Sequence, residues 1–260
     1  MTRRVLRKFF WNTYDHLGTC VVLNVAWFVL AIPWILVTYF LFFVLVPWLG
    51  VVGLMTSIVA AVGALWLSPA TLALLAAASE WANYHTPDRS ELWAMLRSRL
   101  VTGLWLSGAA LGVAVVLGVN TAFYLRLPGA LRWAGYLLAG IMLWGQLIFL
   151  TIVFHLGLLL ARDERLTPTH GLRQAVLLTL KFPLPSFLLG VTTLGMAAGL
   201  GITRVSIPFV AASIPAVFAA TGERELLKRF RLPEPGQREA DEREEVRTLR
   251  DLLRPWDMGR

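Results

Sequence analysis

Charge is what this sequence lacks over long stretches. Residues 17–46 and 48–79 contain no Asp, Glu, Lys, Arg or His, and only 15% of the whole chain is charged. An ordinary soluble domain carries about a quarter charged residues, so that class is excluded. Cysteine is nearly absent as well. The single Cys20 forms no intramolecular disulfide and no thiolate metal cluster. Catalytic signatures are missing too: the sequence holds no HExxH, no CxxC, no glycine-rich phosphate loop and no GxSxG elbow. The expectation is therefore a non-enzymatic protein with no cofactor and no metal.

What is there is apolar surface in blocks. The chain of 260 residues is 57% hydrophobic. A bilayer core of roughly 30 Å is crossed by about 20 apolar residues as a helix. Helices are the natural form, because backbone in lipid must satisfy its own hydrogen bonds. The fold class read from these runs is an all-α, polytopic membrane helical bundle. Six transmembrane helices are expected at 17–46, 51–79, 101–124, 133–160, 184–203 and 205–221, with kinks at Pro33 and Pro69. The expected domains are a transmembrane domain over 1–221 and a cytoplasmic tail over 222–260.

The net charge of +8 could suggest nucleic acid, but its placement argues otherwise. The tail from Gly222 carries 10 basic and 10 acidic residues, and the excess flanks the apolar runs. With two crossings in 17–79, one side receives 21 basic residues and the other only Arg126, Arg132 and Arg204. That bias places both termini in the cytoplasm. The expected partner is the lipid bilayer, with a protein partner or a second copy beside it, and no nucleic acid. Trp48, Trp81 and Trp133 lie near span ends, where interfacial anchors belong. Gly103, Gly108, Gly112 and Gly118 let helices approach closely.

Two cytoplasmic interfacial amphipathic helices are expected between spans. In HTPDRSELWAMLRSRL (85–100), Thr86 is read as the N-cap and Pro87 as the first helical residue. Leu92, Trp93, Met95 and Leu96 face one way, and Ser90, Glu91, Arg97 and Ser98 the other. Arg99 returns to the apolar side and is expected to snorkel. LTPTHGLRQAVLLTLKFPLP (166–185) repeats the arrangement: His170, Arg173, Gln174 and Lys181 oppose Leu172, Ala175, Val176 and Leu180. Beyond the linker LPEPGQ, the tail carries a stripe of Val246, Leu249, Leu253 and Trp256. The candidate interaction surface is accordingly Leu92, Trp93, Leu96, Arg97, Arg173, Val246, Leu249, Leu253 and Trp256.

Three segments carry a family resemblance. FFWNTYDHLGTCVVLNVAWFVLAIP, SPATLAL and ELWAMLRSRLVTGLWL resemble the YesL-type bacterial membrane proteins, a family without an established activity. The likeness covers most of 9–220. It implies a membrane bundle and a weak link to carbohydrate uptake, and it brings no catalytic residues. Residues 34–67 and the charged tail depart from that pattern.

Ionisable groups inside a membrane are functional candidates by default. His155 is the sole one well within a span, and no buried partner is visible for it in the sequence. Asn24, Asn120 and Gln146 are expected to bond between helices. Asp163, Glu164 and His170 read as a charged turn, as do Asp15 and His16. Two functions stand at this point. One is an accessory or scaffold protein docking partners on its cytoplasmic face. The other is a transporter or permease component for a small neutral solute such as a sugar, against which the lack of a buried carboxylate counts.

Overall fold

The computed structural model describes residues 2–83, 85–203, 206, 207 and 209–229. The stripe Val246, Leu249, Leu253 and Trp256 lies outside them. The described residues are helical, in the order α1 (Thr2–Asp15), α2 (Leu17–Leu49), α3 (Val51–Trp66), α4 (Pro69–Ala82), α5 (Arg89–Leu125), α6 (Arg132–Arg162), α7 (Pro168–Lys181), α8 (Pro183–Ile202) and α9 (Ser213–Arg229). Four of them (α2, α5, α6 and α8) are long and apolar enough to cross a membrane, α6 together with the short turn before it. The pair α3 and α4 is bent by 56° and passes the same test when taken together, as a broken span or a re-entrant loop. This is the frame of a multi-pass membrane protein.

The first expected span is a single helix, unbroken through Pro33 and Pro47. Gly50 then reverses the chain with φ 59°, a left-handed conformation that a Cβ would penalise. The path through 34–67 is thus a tight helical hairpin. The second expected span is two helices. Ser68 caps α4 by accepting from Thr71 N, with Pro69 at its start, where no N–H is needed. The Thr71 hydroxyl donates to Leu65 O at 2.6 Å, so a carbonyl freed by the break keeps a partner.

Glycine explains how α5 sits so close to its neighbours. A Cβ on Gly103 would lie 2.8 Å from Pro69 N, and one on Gly118 would collide with Thr56. Gly108 and Gly112 face open space instead, so only half of the expected small-residue stripe packs protein. The core itself is small and apolar: Cys20, Leu75, Ala77, Trp81, Phe154, Val217 and Ala219 pack together between α2, α4, α6 and α9.

The last expected span takes a different form. Instead of a helix over 205–221, turns precede α9, which starts at Ser213 and continues through Gly222 to Arg229. The boundary expected at 221/222 therefore falls inside a helix, and Glu223, Arg224, Leu226 and Leu227 are buried. Asn24, seven residues after the start of α2, holds the beginning of α9. Its Oδ1 accepts from Ala212 N at 2.8 Å and Ser213 N at 3.0 Å, and its Nδ2 donates to Ile207 O at 2.7 Å. The free N–H groups of a helix start are satisfied here by a side chain from another helix.

Candidate functional site

Charged residues gather at one end of the bundle, where α1, α4, α5, α6 and α9 come together. Lys8 of α1 pairs with Glu225 of α9 at 2.8 Å. Lys228 lies 3.7 Å from the same carboxylate. Arg99 of α5 donates to Glu164 at 2.8 Å and to Ala161 O, in the last turn of α6, at 2.8 Å. A cation there complements the helix dipole. Arg99 is 7% exposed, so it docks into the protein rather than snorkelling.

Deeper lies His155, fully buried, with Nδ1 3.5 Å from Glu223 Oε1. The sequence hid this partner because Glu223 falls beyond the last apolar run. Only α9, entering from the middle of the bundle, brings it inside. A cavity of ≈ 20 Å³ beside Glu223 is lined by Ser79, Arg162 and Arg224, among others. Its size matches one water. His155 Nε2 has no hydrogen-bond partner.

A larger recess of ≈ 400 Å³ opens at the same end, lined by Glu80, His85, Glu91, Arg99, Arg162 and Glu164 among others. Its wall includes the start of α5. Asp88 is the N-cap there and accepts from Glu91 N, while the Glu91 carboxylate accepts from Asp88 N. This capping box replaces the expected Thr86 cap, because it satisfies two free N–H groups at once. The backbone bond from Glu91 is the main reason that the Asp88 carboxyl is held below its ordinary range, with Ser90 adding to it. From there α5 runs without interruption to Leu125; the segment expected as an interfacial helix running into the third span is one helix with it.

The other expected interfacial helix is a separate element. Thr167 stands at the N-cap position of α7 without a side-chain capping bond, and Pro168 opens the helix, as the Thr-Pro pair implied. Its buried side is Gly171, Ala175 and Leu178, while Leu172, Leu177 and Leu180 are exposed. The packing face is thus turned relative to the expected one.

The candidate surface residues separate into groups. Leu92 and Leu96 are half-buried, and with Trp93 they line a groove shared with α2 and α4. Trp93 is 65% exposed at its rim. Arg97 and Arg173 are exposed on α5 and α7 and do not line that groove. Other expectations change as well. Trp81 is fully buried and stacks on His16 at 5.1 Å. Asn120 bonds within its own helix to Val116 O, whereas Gln146 reaches Thr121 of α5 at 3.5 Å. Asp163 closes a local turn by accepting from Arg165 N, and Glu164 is taken by Arg99.

The chain matches no family model, no curated protein and no solved structure.

Proposed function

We propose that this chain is a non-enzymatic accessory protein of the bacterial cytoplasmic membrane that docks a partner on its cytoplasmic face. The observation that carries the reading is the cross-helix lattice at the charged end. Lys8–Glu225 and Arg99–Glu164 tie elements far apart in sequence into one surface, and the buried His155–Glu223 pair links α6 to α9 beneath it. That surface holds the mixed-charge recess and exposes Arg97 and Arg173. Ordered charge on a rigid frame suits recognition of a partner with complementary charge. The contact of α1 with α9 keeps both described ends of the chain on one side, which supports an even number of crossings and cytoplasmic termini. The count of six, with α9 as a short returning segment, and the YesL-type relationship belong to the same proposal.

The test is purification from native membranes in mild detergent, with mass spectrometry of bound protein. A stoichiometric partner should be present, and Arg97→Glu with Arg173→Glu should release it while the bundle stays folded. Equal retention by the charge-reversed protein sinks the docking surface.

One observation favours transport as a second reading. A carrier coupled to ions needs a buried carboxylate, and Glu223 against His155 supplies one. Uptake of a neutral sugar into proteoliposomes, lost in Glu223→Gln, would support that reading over docking.

A further inference from the structure

We infer that the groove between α2 and α5 is a binding site for a single anionic phospholipid. Both helices pack on α4 and leave a channel between them, floored by Ala70, Ala73 and Leu74. Leu23, Ala26, Trp27 and Leu30 form one wall; Leu92, Trp93 and Leu96 form the other. Its volume is ≈ 260 Å³, and at 1.5 Å per residue the wall runs about 10 Å along α2 and about 6 Å along α5.

The lining is apolar for a physical reason. Small alanines on α4 keep the floor low. The one polar atom on the α2 wall is spent, since Trp27 Nε1 donates to Thr71 Oγ1 at 2.8 Å. The indole therefore offers carbon to the channel. An acyl chain suits such a slot, and a polar solute does not.

Two features identify the occupant. The groove is continuous with bilayer-facing surface, because Leu30 on one rim and Trp93 on the other are exposed. A lipid enters sideways from the leaflet without crossing protein. Arg89, which also lines the groove, is exposed and sits in the first turn of α5 at the charged end. Among the described residues its guanidinium holds no ion pair, unlike Arg99. A phosphate at the mouth would meet this cation while the chain follows Leu92 and Leu96 inward. Trp93 beside it has the amphipathic ring favoured at headgroup level.

The experiment is native mass spectrometry of the full chain, carried in detergent with equal phosphatidylglycerol and phosphatidylcholine. One retained lipid is expected, with phosphatidylglycerol preferred. Arg89→Gln should reduce that preference about fivefold, the change one basic residue near an anionic headgroup supplies. Ala73→Phe fills the floor and should remove the retained lipid. Ala26→Phe, on the exposed wall of α2, provides a second filling variant should the first disturb folding. Lipid retention unchanged in a folded filling variant, or an unchanged preference in Arg89→Gln, overturns the site.

Discussion

His155 and Glu223, 68 positions apart, face each other at 3.5 Å in the interior, one on α6 and the other on α9. Each is buried to within a few per cent of its surface, so their contact is little weakened by water. Removing one takes a polar contact away from a group that stays buried. Glu223→Ala and His155→Ala should each destabilise the protein by on the order of 1–3 kcal/mol. The double variant should cost less than the sum of the two. Thermal unfolding in detergent measures all three, and strict additivity would show that the two groups do not interact.

Asn24 is the hinge pin of α9. Asn24→Leu removes three hydrogen bonds and uncaps the helix start, and should cost roughly 1–3 kcal/mol. Asn24→Asp keeps the acceptor for Ala212 and Ser213 but loses the donor to Ile207. It should retain the cap and orphan one carbonyl. Equal stability of the leucine variant and the natural protein would mean the cap is dispensable.

The four glycines of α5 separate by environment. Gly103→Leu and Gly118→Leu should disrupt the contacts with α4 and α3, whereas Gly108→Leu and Gly112→Leu meet nothing within 4 Å. Overpacking of the first kind typically costs about 1–3 kcal/mol. Size-exclusion profiles in detergent distinguish the pairs. A uniform effect across all four would contradict the packing described.

Asp88 makes the start of α5 sensitive to acid. Its carboxyl is depressed below the ordinary 3.8 by the Glu91 N–H, the Ser90 contacts and His85. A depressed folded value means the cap stabilises above that ordinary range and is lost as pH falls through the lowered one. The difference in thermal midpoint between the natural protein and Asp88→Ala should therefore shrink below pH 3.8. Asp88→Asn, which caps without titrating, should show no such dependence. A constant gap for Asp88→Ala down to strong acid would rule the mechanism out.

Orientation is open to direct measurement. The proposed topology puts 21 basic residues on one side and three on the other, so a reporter fused after Arg260 should be active only as a cytoplasmic reporter. One fused after Leu127 should be active only as an exported one. The reverse result would invert the docking proposal, placing its surface outside the cell.

The local features were legible where local physics decides them. Uncharged runs of about twenty residues or more are helical in lipid, so α2, α5, α6 and α8 could be drawn from composition alone. The Thr167–Pro168 start of α7 followed from capping chemistry. At α5 the same reasoning stopped two residues early, because Thr86 and Asp88 are both good caps. Only the reciprocal bond of Glu91 separates them.

The buried charges were decided otherwise. Glu223 and Glu225 stand in a run of charge that reads as solvated tail. Their burial follows from where α9 begins, beside Asn24 and partway along α2, and no periodicity records that position. Lys8, Arg99 and Trp81 carry the same lesson. Each has a residue type that composition assigns to an interface, and each is drawn inside by a partner remote in sequence. Sequence by itself determined which segments must avoid water and which side of the membrane their charged flanks prefer, since hydration and topology act on each segment separately. Tertiary structure alone decided which charges give up that hydration, because the compensating carboxylate or carbonyl exists only once the helices have packed.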